Sequence, residues 1–341
     1  MSAQELAATA AAMVAKGKGV LAIDESMGTI KKRFDTISLE NTEENRRAYR
    51  ELLIANPGDE AYVSGMILFD ETIRQSTAAG VPFPKVLIDK GIMPGIKVDA
   101  GAKDLAGHPG EQVTEGLDGL RERLAKYRDL GAKFAKWRAV ITIGPGIPST
   151  GCIEANAHAL ARYAGLCQEA GIVPMVEPEV LMDADNTIAR CDEVTEFTLR
   201  TVFNELVRQG VTLEHTILKT NMVVSGKACP VQAGTAEIAA RTVACLRRAV
   251  PAAIPGIVFL SGGQSGLDAT RNLNAMNQGY DLPWPLSFSY GRALQADALK
   301  AWSGKPENLA RARAILLHRE RCNGLAAMGQ YSDAIERELS A

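Results

Sequence analysis

Short apolar runs alternate with helix-patterned segments along this 341-residue chain, and that alternation limits what it can fold into more than any other feature. The runs fall at 19–23, 62–69, 96–98, 134–137, 172–176, 216–218, 257–260 and 286–289. Runs this short and this apolar suit strands buried on both faces, as in a parallel sheet whose crossovers are helices. Eight of them predict an α/β fold closed as a (β/α)8 TIM barrel, with a doubly wound sheet as the alternative. The helical segments share one design. Leu117, Leu120, Leu124, Tyr127 and Leu130 recur every three or four residues ahead of Gly131, a residue suited to a helix C-terminus. Segments 154–170, 192–209 and 235–250 repeat it, the first two stopped by Gly171 and Gly210. Pro174 lies inside a strand run, which requires a gap in the hydrogen-bond ladder there.

Length alone permits one barrel or two domains of roughly 150 residues each. No low-complexity linker divides the sequence, so residues 1–341 read as one TIM-barrel domain with extra N-terminal and C-terminal helices. With 38 basic and 40 acidic side chains the net charge is −2 and no block of like charges occurs, which excludes the field of a dedicated nucleic-acid binder. The longest apolar stretch, 6–15, is mostly alanine and well short of the roughly 18–20 residues that span a bilayer. Glu5 precedes it and Lys16 and Lys18 follow, the reverse of a signal peptide, so it reads as a surface helix of a cytoplasmic protein with no membrane partner. Cys152, Cys167, Cys191, Cys229, Cys245 and Cys322 form no C-x-x-C pair and read as reduced thiols. His108, His158, His215 and His318 show neither H-x-H nor H-E-x-x-H spacing, so no metal and no other cofactor is expected.

Polar chemistry gathers where the predicted strands end, the edge at which parallel α/β enzymes place their working groups. In order these ends carry Asp24; Lys97 and Asp99; Lys136 and Arg138; Glu177 and Glu179; Lys219 and Asn221; Ser261-Gly262-Gly263; and Tyr290-Gly291-Arg292. Lysines beside carboxylates in a semi-apolar barrel read either as a buried salt-bridge lattice or as amine chemistry. A lysine of ordinary pKa is about 0.04% neutral at pH 7, and lowering it to roughly 7 takes about 4.6 kcal/mol, which burial and a neighbouring cation supply. A neutral amine attacks a ketone, and a carboxylic acid of raised pKa then supplies the proton that removes water. The glycines after Ser261 free backbone N–H groups for an anion, with Arg292 following the next strand. Ser26, Thr29, Arg33 and Lys97 offer a second anion site, so the substrate class is a small molecule with a phosphate at each end.

These motifs resemble those of the class I, Schiff-base fructose-1,6-bisphosphate aldolases. The matching stretches are Gly17-Lys18-Gly19 through Asp24-Glu25-Ser26, Gly95-Ile96-Lys97-Val98-Asp99, Phe134-Ala135-Lys136-Trp137-Arg138, Val176-Glu177-Pro178-Glu179, Leu218-Lys219 with Asn221-Met222-Val223, Phe259-Leu260-Ser261-Gly262-Gly263-Gln264-Ser265, and Phe288-Ser289-Tyr290-Gly291-Arg292. The resemblance implies a metal-independent aldehyde-lyase of glycolysis, commonly a homotetramer, acting on a phosphosugar. It implies Lys219 as Schiff-base lysine, Glu177 as the acid/base of dehydration, Lys136 as its cationic neighbour and Asp24 as the carboxylate handling the C4 hydroxyl proton. Glu179 and Arg138 look like supporting charges. Ser261, Gly262, Gly263, Gly291 and Arg292 resemble the C1-phosphate site, and Ser26, Thr29, Arg33 and Lys97 the C6-phosphate side. Thr220 stands where the animal enzymes have proline, Met27 where they have threonine, and Thr29 where they have serine. Little sequence follows Gly329-Gln330-Tyr331, which implies either slower enamine protonation than in enzymes with a long tail ending in tyrosine or a substitute group for that step. A monophosphate-specific lyase, acting for example on fructose 1-phosphate, and a non-catalytic scaffold are the rival readings.

Overall fold

A computed structural model of the chain describes residues 2–338. The strands are β1 (Gly19–Ala22), β2 (Val63–Leu68), β3 (Met93–Lys97), β4 (Gly101–Asp104), β5 (Gln112–Glu115), β6 (Phe134–Ile141), β7 (Val173–Val180), β8 (Ile217–Thr220), β9 (Ile257–Phe259) and β10 (Leu286–Tyr290). Up to β6 the helices are α1 (Ala3–Met13), α2 (Met27–Asp35), α3 (Glu43–Ile54), α4 (Asp70–Ile73), α5 (Phe83–Asp89) and α6 (Leu120–Asp129). Beyond it come α7 (Thr150–Glu169), α8 (Ile188–Arg208), α9 (Thr235–Ala249), α10 (Gly266–Gly279), α11 (Arg292–Trp302), α12 (Leu309–Ala326) and α13 (Asp333–Arg337). Eight strands close a parallel barrel in the order β1, β2, β3, β6, β7, β8, β9, β10, with β10 pairing back onto β1. The doubly wound alternative is thereby excluded. Helices cap the barrel at both chain ends, as expected.

Strands β6 and β7 run to Ile141 and Val180, past the ends of their apolar runs, so Arg138, Glu177 and Glu179 are ladder residues and not loop residues. Arg138 registers with Glu177, and Val140 with Glu179. A charged residue stops an apolar-run reading, whereas in a barrel mouth it finds counter-charges and the ladder continues. Helices α7 and α8 begin four residues ahead of 154 and 192. Ser149 and Thr187 cap them, their side chains accepting the amides of Cys152 and Arg190. The antiparallel pair β4–β5, which no apolar run announces, follows β3 at the mouth.

Pro174 and Pro178 follow from the way β7 shares its amides. Val173 N donates to Lys133 O and Leu181 N to Ile141 O, so odd-numbered amides face β6 and both prolines face β8. There the register covers only Met175 and Val176, and the Val180 amide donates instead to Asn221 Oδ1. The expected ladder gap is real, and β7 spends it on anchoring Asn221.

Two apolar layers hold the barrel. Outside, helices pack on the strands around Trp137, Tyr163, Phe259 and Phe288. Inside, Val20, Ile67, Phe134, Met175, Ile217 and Val258 fill the lower half, and α1 closes it from below with Leu6, Ala10 and Met13. The segment is the surface helix expected, with one face exposed and the other packed on the body, where it closes the bottom of the barrel. The Phe134 ring needs the bare Cα of Gly95, where a Cβ would approach Phe134 Cζ to 2.2 Å. With the bottom filled, the buried lysines and their carboxylate partners gather at the top.

Candidate active site

A buried chain of alternating charge crosses the top of the barrel. Lys219, from β8, places Nζ 3.0 Å from Glu177 Oε1. Glu177 Oε2 lies 3.2 Å from Lys136 Nζ, which reaches Asp24 Oδ2 at 2.7 Å. Side-chain exposures of 5% for Lys219, 4% for Glu177, 4% for Lys136 and 13% for Asp24 keep bulk water from screening these contacts. Burial by itself would raise the Asp24 carboxyl; the ammonium groups of Lys136 and Lys219 outweigh it and hold Asp24 at about 2. Burial likewise works against the Glu177 carboxylate, and Lys136, Lys219 and Arg138 prevail, holding it below the ordinary range. For Lys136 burial opposes the ammonium, but Asp24, Glu177 and Asp99 push its pKa up, so it stays charged.

This corrects one expectation. The sequence suggested a carboxylic acid of raised pKa; Glu177, between two ammonium groups, is a carboxylate at rest.

Arg138 and Glu179, on β6 and β7, pair at 2.5 Å beside this chain. Lys97 is engaged by Asp99, 2.6 Å from its Oδ1 and donating to its carbonyl at 2.8 Å, while Asp99 also accepts the amides of Gly101 and Arg138. Ser26 and Thr29 open α2 with hydroxyls 3.2 Å apart. Arg33 is ion-paired with Glu25, and its Nη2 lies 3.4 Å from the point a Gly291 Cβ would occupy. That places the Arg33 guanidinium beside the Gly291-Arg292 turn, in the cavity that Lys97 also lines. Ser261, Gly262, Gly263, Gly291 and Arg292 line the same cavity as the lysines, whose volume is about 1010 Å³. Gly262 and Gly263 adopt φ of 59° and 104°, a left-handed turn that turns the backbone of this loop in a way side-chain-bearing residues rarely tolerate. Thr220 extends β8 by one residue and its hydroxyl donates to Pro178 O at 3.4 Å.

Some residues at the mouth escaped the strand-end reading. Glu25 is buried between Arg33 and Arg50, and Gln295 donates to Ala22 O and Glu25 while accepting from Tyr49 and Arg33. Lys227 and Asp183 lie in loops nine and seven residues beyond the ends of their apolar runs, farther along than the two or three residues at which strand-end chemistry gathers. Among the described residues one group of metal-ligand types comes together, His318, Cys322 and Glu336, outside the cavity; Arg319 and Tyr331 already engage Glu336. All six cysteines are unbridged and buried. No helix among the described residues is long and apolar enough to cross a membrane.

A closed (β/α)8 barrel with two lysines buried between carboxylates, beneath a glycine turn flanked by arginine, has the make-up of a barrel enzyme of the Schiff-base class. The comparisons with known proteins narrow the class. Residues 5–341 match the family model for fructose-bisphosphate aldolase class-I. A probable fructose-bisphosphate aldolase class 1 from Xanthomonas campestris is 63% identical over 97% of this chain and 99% of its own length. Fructose-bisphosphate aldolase 1 of Toxoplasma gondii is 52% identical over 99% of this chain and 94% of its own. The fructose-bisphosphate aldolase of Plasmodium falciparum, solved with TRAP and a small-molecule inhibitor, superposes with a TM-score of 0.95 at 50% identity, covering 96% and 95% of the two chains. The chain belongs to the class-I fructose-bisphosphate aldolase family.

Proposed function

We propose that this protein catalyses the reversible aldol cleavage of fructose 1,6-bisphosphate to glycerone phosphate and D-glyceraldehyde 3-phosphate through a Schiff base on Lys219. The observation that carries this reading is the buried chain Asp24–Lys136–Glu177–Lys219 at the barrel mouth. The turn Ser261–Gly263 with Gly291 and Arg292 holds the C1 phosphate, and Ser26, Thr29, Arg33 and Lys97 serve the C6 phosphate. Glu177 first takes a proton from the Lys219 ammonium, and the free amine adds to the C2 carbonyl. With that neighbouring cation gone, the Glu177 carboxyl becomes a better proton holder, and it passes the proton to the departing hydroxyl of the carbinolamine. Water leaves, the iminium restores the positive charge beside Glu177, and the ion pair is remade.

Cleavage of C3–C4 sends its electron pair into the iminium, which becomes a neutral enamine. Asp24 accepts the C4 hydroxyl proton as that cation disappears, so the charge that keeps Asp24 a weak base falls away in the same step. Lys136 stays an ammonium between the two carboxylates and relays protons, while Arg138 and Glu179 fix the outer edge of this network. No step calls for a metal or an organic cofactor. One observation favours a secondary activity: Lys97 and Arg33, the cations of the C6 end, are each held by a carboxylate, so fructose 1-phosphate is also a substrate, at a lower rate.

Residues 1–341 as one domain, a homotetramer and a cytoplasmic setting complete the proposal, carried from the family; Met1 and residues 339–341 lie outside the described residues. Borohydride reduction in the presence of glycerone phosphate, followed by peptide mapping, tests the chemistry. A reduced adduct on Lys219, absent in Lys219→Met, with activity unaffected by EDTA, is the expected result. An adduct elsewhere, or activity lost to EDTA, overturns the mechanism.

A further inference from the structure

Lys227 belongs to none of the groups assigned above, yet it lines the same cavity, from the loop after β8. Its backbone is fixed. Lys227 N donates to Met182 O at 2.7 Å, and the flanking amides of Gly226 and Ala228 donate to Asn186 O at 2.8 Å and Ala184 O at 3.0 Å. The fit is close, since a Cβ on Gly226 would come within 2.2 Å of Ala184 O. The loop after β8 is thus stitched to the loop after β7, and the Lys227 side chain projects from a rigid base over the glycine turn. The point a Gly263 Cβ would occupy lies 2.6 Å from Lys227 Nζ and 3.2 Å from Arg292 Nη2, so two cations from different loops converge on one spot above Gly263. Arg292 has no carboxylate partner among the described residues, and Lys227 is paired with Asp183, whose side chain is 62% exposed.

We propose that Lys227 is a further phosphate-binding residue of the Ser261–Arg292 subsite, with Asp183 as its resting counter-ion. This rests on the reading of that subsite as the C1-phosphate site. An exposed ion pair contributes little, because water screens it and two flexible side chains must be ordered to keep it. A phosphate dianion already held by backbone amides and Arg292 attracts the ammonium more strongly than a single solvated carboxylate does. Substrate binding therefore exchanges Asp183 for phosphate on Lys227, with no backbone movement.

The test measures KM and kcat, and competitive inhibition by inorganic phosphate, in Lys227→Met, Asp183→Asn and Arg292→Met enzymes. In Lys227→Met, KM and the phosphate inhibition constant rise by about fivefold at low salt, the size of a part-exposed charge contact, with kcat within twofold of the parent. The rise is the same for fructose 1,6-bisphosphate and fructose 1-phosphate and shrinks as salt is added. Asp183→Asn moves both constants the opposite way, because Lys227 then meets phosphate without a competitor. Unchanged constants in Lys227→Met, or a rise in Asp183→Asn matching that of Lys227→Met, overturn the proposal; the latter makes the pair a structural clamp. Arg292→Met separates the two levels: if it raises KM while Lys227→Met does not, only the Lys227 inference fails, and if neither does, the subsite reading fails as well.

Discussion

At the residue scale the site works by giving each carboxylate more positive charge than burial takes away. Glu177 shows the consequence, since it must begin as a base and become an acid only while Lys219 lacks its charge. Glu177→Gln keeps the shape and removes the proton carrier, so kcat falls by about 10²–10⁴-fold and borohydride traps correspondingly less adduct. The sign of the pH dependence follows from the depressed carboxyl: the working carboxylate is present above its folded pKa and is lost as pH falls through it, so the Glu177-dependent acid limb of kcat/KM lies below the ordinary value of 4.5. A limb above that value would contradict the assignment. Residue identity was legible here because each of these side chains sits on or beside a strand end. The protonation of Glu177 was not, because it depends on distances to Lys136 and Lys219 that no spacing encodes.

At the element scale the barrel depends on local fits between neighbours that are distant in sequence. Gly95 on β3 leaves room for the Phe134 ring of β6, so Gly95→Ala forces that ring aside and costs about 1–3 kcal/mol in a urea melt, part of it recovered by adding Phe134→Leu. Helix α12 buries Glu320 beneath the barrel flank with both carboxylate oxygens unpartnered among the described residues. Burial, and then the charge of Asp59, push its pKa well above the usual value. Asp59 itself is pushed up by burial, against the pull of the Lys90 ammonium, to about 7. Carboxyls raised in the folded state give stability that is full below the unfolded pKa and lost as pH rises through the folded one. For Asp59 that window runs from 3.8 to about 7. Glu320→Leu removes its own part of that slope and stabilises the fold at pH 8 by about 1–3 kcal/mol, read by thermal melts at pH 5 and pH 8. A destabilised Glu320→Leu would mean the carboxyl has a partner. Sequence patterning assigns Gly95 no packing role and does not single out Glu320, since one glycine in a strand and one glutamate in a helix are unremarkable until a ring or a buried neighbour such as Asp59 is found against them.

At the scale of the whole molecule, a chain of net charge −2 binds a substrate with two phosphates, so its attraction is local. Lys97, Lys136, Arg138, Lys219, Lys227 and Arg292 all line one cavity. KM for fructose 1,6-bisphosphate is expected to rise about tenfold between low ionic strength and 0.5 M salt, with kcat little changed, since screening acts on the approach and grip of the anion more than on the buried chain. A salt-independent KM would show that the phosphates are held by backbone amides alone. The sequence by itself determined the barrel, through the number and brevity of its apolar runs, and the identity of the mouth residues, because a parallel barrel sends every strand end to one face. Tertiary structure alone decided which charges pair, that α1 packs across the bottom of the barrel, that Arg33 leans on Gly291, and that Lys227 reaches Gly263 from a different loop. Periodicity records which face of an element is buried; it carries no information on the few ångströms between side chains from different elements, and it is over those distances that charge and packing set pKa, affinity and strain.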